Sequence, residues 1–345
     1  MIETLGDVTL KTGDRLTVRL MQPPEPEYGQ LLCRFLRHKS DSDFRAIRQR
    51  LEGRYVEHCV DRYFTGEIRG RLAAQVWYGY GRGGAGIGNF GHTYTVPEFR
   101  RRGIMKELLR FLLEDFANSD AIALLCTGEA PASAYYQKIG FEFVADGPRA
   151  GHDPMALIKK DHAADFRELD ERYFAAGSEV IVRPGTIRER HDCDRMMDFS
   201  PSLGRIKQRW GRTFAAACVP TYIEALYRAE DGRGLLTVCE TASRSIVGYG
   251  FAVNIGSPLD RRISVFDFLV HPNYFAEIDR LVSETASLAG RMSFSEMVSF
   301  VPECAQEKLA GLLRCGFSER YRFRNAYQVS GGTHDVIMLS LAVDG

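Results

Sequence analysis

The chain has 345 residues, with 45 basic and 45 acidic side chains and a net charge of zero. At roughly 150 residues per domain, that length predicts two domains. A composition of 45% hydrophobic and 26% charged residues is ordinary for a globular protein, which excludes disorder, collagen and coiled coil as the main architecture. The balanced charge gives no electrostatic case for nucleic acid or an anionic membrane as a partner.

The first residues carry no basic segment followed by an apolar stretch, so no secretory signal is expected. No apolar run approaches the ~20 residues of a bilayer span, and Val336–Val343 is strand-sized. The eight cysteines lie in apolar surroundings and form no C-x-x-C pair. The expectation is reduced core thiols, a cytoplasmic protein and no metal site.

In chain order, an alternating strand over Arg15–Met21 stops at Pro23-Pro24. Helical stretches follow near Gln30–Lys39 and Ser42–Asp61. Gly70–Tyr80 reads as strand. The glycine-rich run Gly81–Gly86 turns the chain toward the next strand, Asn89–Val96, which meets Pro97. Arg102–Asn118 is an amphipathic helix, because Met105, Leu108, Leu109, Leu112 and Phe116 recur at helical spacing. Ala121–Cys126 is a short buried strand, Pro131–Lys138 a short helix, and Phe141–Val144 and Met155–Ile158 are closing strands.

The charged stretch Lys159–Ser178 has no strand signal and reads as a linker. The second half then repeats the order. Val180–Arg183 is a strand, and helices fit Asp192–Met197, Arg205–Arg212 and Phe214–Leu226. Strands follow at Gly234–Cys239, Ile246–Val253 and Ile263–Val270, the last ending at His271-Pro272. A helix fits Phe275–Ala289, then come strand Glu296–Val301, helix Cys304–Leu313, and strands Phe317–Phe323 and Val336–Leu341. The organisation expected is a domain over 1–160, a linker over 161–178 and a second domain over 179–345, related as an internal repeat.

One run concentrates the chemistry: Thr95-Val-Pro-Glu-Phe-Arg-Arg-Arg-Gly-Ile-Met105. A strand ends, Pro97 turns the chain, and Arg100-Arg101-Arg102-Gly103 opens a helix. First-turn amides have no internal partners and sit at the positive end of the helix dipole, which suits a phosphate or pyrophosphate. Gly103 removes a side chain where phosphate must approach backbone. The same basic turn also serves a helix that is only capped and solvated.

About thirty residues later stands Ala132-Ser-Ala-Tyr-Tyr-Gln-Lys-Ile-Gly-Phe141. Together the two segments resemble the GNAT superfamily of acyl-CoA-dependent N-acyltransferases. Arg100 and Gly103 match its Arg-x-x-Gly loop, and Tyr136, Gly140 and Phe141 match its Tyr-x-x-x-Gly-Phe helix, with the likeness spanning roughly residues 15–160. The departures are Met105 for the last small residue of the loop, Thr95 for the usual valine, and Glu129 for a common asparagine. The bulky Met105 also looks like the enhanced intracellular survival group, which joins a GNAT domain to a second GNAT-like domain.

The second half resembles the fold more faintly. Leu269-Val-His-Pro-Asn-Tyr274 looks like the strand end before the loop, but Glu277 and Asp279 follow without Arg-x-x-Gly, and Leu312 stands in the tyrosine position before Gly316-Phe317. Acidic groups in that first turn repel pyrophosphate. The resemblance therefore implies α/β (α+β) architecture: two tandem GNAT-like domains, each a mixed, mostly antiparallel sheet flanked by helices. It implies one intact site, in the first domain.

For that site the resemblance implies acetyl-CoA as co-substrate, without metal, and a small-molecule primary amine as acceptor, attacking directly in a ternary complex. Cofactor contacts are implied for Thr95, Val96, Arg100, Arg101, Arg102, Gly103, Ile104, Met105, Lys106, Ala132, Ser133 and Tyr136. Tyr136 is implied as the acid for the departing thiolate, since a phenol with a pKa of about 10 is protonated at neutral pH. Its alternative role is packing on the cofactor. His92, Tyr94, Glu129 and water are the alternatives for the base, and His271 and Asp267 read as fold residues. Two other functions stay open: a non-catalytic acyl-CoA sensor, and an aminoacyl or peptidyl transferase, which the neutral charge disfavours. Acyl length and oligomeric state are open.

Overall fold

The computed structural model describes residues 1–39, 41–128, 132–144, 153–203, 210, 220–254, 262–292, 294–329 and 332–343. They fall into two units, Met1–Phe166 and Arg167–Gly345.

The first unit is built on an eight-stranded sheet of order β1-β2-β3-β4-β5-β6-β8-β7. Its strands are β1 (Ile2–Thr9), β2 (Arg15–Met21), β3 (Cys59–Ile68), β4 (Arg71–Gly81), β5 (Ile87–Thr95), β6 (Ala123–Gly128), β7 (Glu142–Phe143) and β8 (Asp153–Ile158). All neighbours are antiparallel except β5 and β6. Helices α1 (Pro26–Phe35) and α2 (Asp41–Leu51) lie between β2 and β3 in sequence, α3 (Ile104–Ala117) between β5 and β6, and α4 (Ala132–Lys138) between β6 and β7.

Strand alternation sorts the side chains onto two faces. Leu16, Val18 and Leu20 of β2, Phe64 of β3 and Val76 and Tyr78 of β4 join Leu108, Leu109 and Leu112 of α3 and Tyr136 of α4 in one core. Met21, Tyr63 and Trp77 point the other way, into a core with Leu32, Leu36, Ile47 and Leu51 from the α1–α2 layer. Both faces are covered, so nearly every position of β3 and β4 is buried, with little alternation.

The expected helix over Ser42–Asp61 stops ten residues early. Gly53 adopts a left-handed φ of +80°, which ends the helix, and Cys59–Asp61 already belong to β3. The strand β1 was not anticipated. Its IETLGDVT sequence is polar on both faces, and pairing with β2 is what makes it a strand.

The second unit has a seven-stranded sheet of order β14-β15-β13-β12-β11-β10-β9. Its strands are β9 (Val180–Pro184), β10 (Gly234–Thr241), β11 (Ile246–Val253), β12 (Ile263–Val270), β13 (Glu296–Pro302), β14 (Ser318–Val329) and β15 (Gly332–Ala342). Its helices are α5 (Phe166–Tyr173), whose first residue closes the first unit, α6 (Arg190–Asp194), α7 (Pro220–Glu230), α8 (Ile278–Arg291) and α9 (Gln306–Arg314). Here β12 and β13 form the parallel pair. From β2 to β7 in the first sheet and β9 to β14 in the second, the order and direction of strands repeat, with α3 matching α8 and α4 matching α9. Both units are thus mixed, mostly antiparallel sheets with helices, as the sequence implied. The helix expected over Arg205–Arg212 falls outside the described residues except at 210, and the one expected over Phe214–Leu226 is described from Pro220, where it is α7.

The stretch 161–178, read as a linker, contains α5, and from Arg167 it belongs to the second unit. Most of its charged side chains are exposed, but Asp170 and Tyr173 face inward to partners. Asp170 is buried and accepts hydrogen bonds from Arg195 at 2.8 Å and Ser200 at 3.0 Å. Tyr173 donates to Asp192 and accepts from the Ile246 amide at 2.7 Å. Composition alone does not distinguish paired charge from solvated charge.

Among the described residues, no helix is long and apolar enough to cross a membrane, and seven cysteines are free thiols.

Gly66 of β3 sets how closely α3 approaches the sheet: a Cβ there would stand 2.9 Å from Leu16 Cδ1 and 3.2 Å from Ile104 Cγ2. Gly66→Val is expected to push the start of α3 outward and cost about 1–3 kcal/mol, seen as a lower unfolding temperature of the first unit by calorimetry.

Candidate active site

Strands β5 and β6 pair only over Ile87–Asn89 and Ala123–Leu125. Beyond that they part. The reason lies on the other edge of β5, where the β4 register slips: Trp77 faces Gly91 and Gln75 faces Tyr94, so Val76 stands opposite both His92 and Thr93. One extra residue in a strand bends it and increases its twist. His92 takes the left-handed φ of +52° that this bulge requires. The buried Gln75 side chain donates through Nε2 to the His92 carbonyl. The His92 ring lies 5.0 Å from that of Trp77, and Trp77 donates to Asp61 at 2.8 Å. Arg50 stacks on Trp77 at 4.4 Å and reaches His92 Nε2 at 3.3 Å.

The parted strands leave a cavity of about 430 Å³ lined by Lys39, Phe90–Thr93, Cys126–Gly128, Ala132 and Tyr136. Gly91 keeps it open, since a Cβ there would meet nothing within 4 Å. Tyr136 is buried between Phe90 and Phe141 and donates to Thr93 Oγ1 at 3.2 Å. Burial raises its pKa above the ordinary phenol value, so its proton stays on through neutral pH. Burial also pushes the Cys126 thiol up, which keeps it un-ionised and a weak nucleophile.

The predicted loop is a turn at Pro97–Phe99 followed by the first turn of α3. Arg101 at φ +63° and Gly103 at φ +87° are both left-handed, which turns successive amides outward as an anion-binding concavity. The three arginines divide. Arg100 Nε donates to the Thr95 carbonyl at 3.0 Å. Arg102 is tied to Asp14 at 2.9 Å and to the Glu98 carbonyl at 2.8 Å. These two brace the loop, whereas Arg101 and Lys106 point to solvent.

Other predicted site residues are placed as follows. The Val96 amide is bonded to the Ala73 carbonyl at 3.0 Å. By strand alternation the Thr95 amide faces the opposite edge, toward the gap. Ile104 is buried and Met105 half-buried, so their backbone faces the loop. Ser133 is buried beside Gly128. His92 Nε2 accepts from the obligate donor Arg50, which commits its lone pair. Tyr94 is held between Phe35 at 5.3 Å and His38 at 4.0 Å. Glu129 lies outside the described residues.

Sequence reasoning missed Lys39, His38, Gly91 and the Cys126–Gly128 wall. Burial lowers the His38 pKa, with Lys39 adding to the effect, so this ring is a neutral imidazole at pH 7. Only the end of the strand pairing identifies these positions, and no motif marks them.

Registering the second unit on its own Gly316-Phe317 places Leu312 at the Tyr136 position and Lys308 at that of Ala132. Strand pairing there ends at Val265 and Val298, so Asp267 takes the place of Gly91. Lys308 and Asp267 form a buried ion pair. Trp210, also buried, donates to the Phe268 carbonyl at 2.8 Å. The β11–β12 register runs without a bulge. Two small residues that open the gap in the first unit thus have charged, mutually bonded counterparts in the second.

His271, Ser202 and Asp170 look like a nucleophilic set but are wired in reverse. His271 Nδ1 accepts from the Asn273 amide at 3.2 Å, and burial lowers the His271 pKa to about 4. The neutral ring's proton is therefore on Nε2, which donates to Ser202 at 2.9 Å, and Ser202 donates to Asp170 at 2.5 Å. This histidine has no lone pair to take the serine proton.

Residues 60–143, from β3 to β7, match the family model of the acetyltransferase (GNAT) domain. The first unit therefore carries a GNAT acyltransferase domain, and the second repeats its strand topology. No curated protein sequence matches the chain. Similar solved structures include an acetyltransferase of the GNAT family from Streptococcus pneumoniae (10% identity, 48% of this chain and 99% of that one, TM-score 0.42). A second is spermidine N-acetyltransferase from Vibrio cholerae in complex with CoA and spermine (13%, 48% and 95%, TM-score 0.38). A third is a GNAT superfamily phosphinothricin acetyltransferase from Sinorhizobium meliloti in complex with AcCoA (13%, 48% and 89%, TM-score 0.39).

The buried pair in the second unit has a mechanical consequence. Asp267→Ala leaves the Lys308 ammonium without its carboxylate and is expected to cost about 3–5 kcal/mol. Adding Lys308→Met is expected to restore most of that, as measured by denaturant unfolding of the second unit.

Proposed function

We propose that the protein is an N-acetyltransferase that moves an acetyl group from acetyl-CoA to the primary amine of a small molecule, by direct attack in a ternary complex. The observation that carries this reading is the cavity at the parting of β5 and β6, walled by the protonated Tyr136 and lying in the domain whose left-handed loop opens α3. The residues suit the co-substrate. Gly91, Gly128 and Ala132 leave room for a slender thioester arm, and the first-turn amides from Ile104 to Lys106, with Arg101, suit pyrophosphate. The free thiols fit the reducing cytoplasm.

Bound acetyl-CoA supplies the thioester carbonyl and the thiolate leaving group. The β6-facing amides of β5, released from strand pairing beyond Asn89, donate to the carbonyl oxygen. The acceptor's nitrogen lone pair forms the new C–N bond as the C–S bond breaks. The ammonium proton passes to water, because His92 has its lone pair committed to Arg50. Tyr136 gives its proton to the departing sulfur and regains one from solvent.

We read the second unit as lacking an acyl-CoA site, because the Asp267–Lys308 pair stands in the place of Gly91 and Ala132. Isothermal titration with acetyl-CoA is then expected to give one site per chain. Gly91→Leu is expected to abolish that binding without lowering the unfolding temperature. Two equal sites would refute the one-site reading.

Tyr136→Phe keeps the packed ring and removes the donor. It is expected to lower kcat by about 100- to 10,000-fold with acetyl-CoA affinity unchanged. Because the Tyr136 pKa is raised, its acid role is lost only above pH 10. The wild-type kcat profile is therefore expected to show no decline from this group at lower pH. Full turnover with weakened affinity in the variant would assign Tyr136 to packing.

A further inference from the structure

We infer that the acceptor carries an anionic group, a carboxylate or phosphonate, close to its reacting amine, and that Lys39 receives it. This rests on the acetyltransferase reading above and specifies its second substrate. Lys39 follows the last turn after α1 and lines the same cavity as Thr93 and Tyr136. Its ammonium makes no ion pair among the described residues, whereas arginines elsewhere in this unit, such as Arg15, Arg62 and Arg102, have acidic partners.

Among the described residues, no aspartate or glutamate lines the cavity. His38, beside Lys39 and tilted against the Tyr94 ring at 4.0 Å, has its pKa lowered by burial and by Lys39. The outer groove between α1 and α2, a separate cavity of about 630 Å³, has the same sign. Arg34, Arg37 and Arg48 line it, and the one acid among its described lining residues, Glu52, lies 3.8 Å from Arg48. Arg34 and Arg37 there make no ion pair among the described residues. A polyamine would bring like charge to Lys39 with no described carboxylate to receive it. A carboxylate or phosphonate on the acceptor forms a charge-assisted hydrogen bond there. The Lys39 cation also disfavours a protonated amine beside it, and the neutral amine is the form that attacks.

The test uses the full chain with acetyl-CoA, following CoA thiol release with matched acceptors: L-amino acids against their carboxamides, 2-aminoethylphosphonate, and spermidine. The acids and the phosphonate are expected to be favoured about 10- to 100-fold in kcat/KM, the gain of one hydrogen bond to a charged group. Lys39→Ala is expected to collapse that ratio through KM, Lys39→Arg to keep it, and Lys39→Glu to invert it toward spermidine. Acetyl-CoA affinity, read by titration, is expected to be the same in all of them. Preference for spermidine or the carboxamides in the wild type, or a ratio unmoved in Lys39→Ala, overturns this inference and leaves the acetyltransferase reading intact. Bound acetyl-CoA with no acceptor acetylated overturns both, and failure to bind acetyl-CoA overturns the reading on which this one rests.

Discussion

Val76 faces two residues of β5, His92 and Thr93, and this one extra residue organises the first unit. A strand cannot keep a straight ladder with β4 on one side and β6 on the other while carrying it. The pairing with β4 recovers at Tyr94, and the pairing with β6 does not. The edge of β5 that would have bonded to β6 becomes the wall of the cavity. The bulge is held by side chains from elsewhere: Gln75 on the His92 carbonyl, and Arg50, Trp77 and Asp61 around the ring. These groups are buried, so the bulge belongs to the core packing.

The second unit shows the same sheet without that device. β12 runs in continuous register beside β11, and the positions where β12 and β13 part are occupied by the Lys308–Asp267 pair and the neighbourhood of Trp210. Retaining a buried pair requires both partners, because either one alone is an uncompensated charge. This makes the closed arrangement self-consistent. The two units thus share a topology and differ at the strand junction proposed above as the acyl-transfer site, and topology alone does not assign activity to a domain.

Electrostatics adds a second division of labour. In the loop at α3, Arg100 and Arg102 hold backbone carbonyls and Asp14, which fixes the left-handed geometry, and Arg101 and Lys106 remain at the surface. In α5, Asp170 and Tyr173, which look solvated in the sequence, are buried partners of Arg195, Ser200 and Asp192. An arginine in this chain can therefore be a structural brace, and its role follows from what its guanidinium already holds.

The sequence carries the repeated order of elements, an amphipathic helix over Arg102–Asn118, which the structure forms from Ile104 to Ala117, and the pairing of Tyr136 with Gly140-Phe141. These are local patterns, carried by helical spacing, by glycines that must be left-handed and by motifs a few residues long. It also determined that the second half lacks the loop. It did not determine β1, whose polar strand exists only through its pairing with β2, or the fate of 161–178, where Asp170 and Tyr173 are held by residues farther along the chain. The cavity was decided by tertiary structure alone. Its walls come from the end of α1, the middle of β5, the end of β6 and the start of α4, and Lys39, Gly91 and Cys126 share no motif. A strand's parting from its neighbour depends on the register of a third strand, and register is a relation between distant segments that no single stretch of sequence encodes.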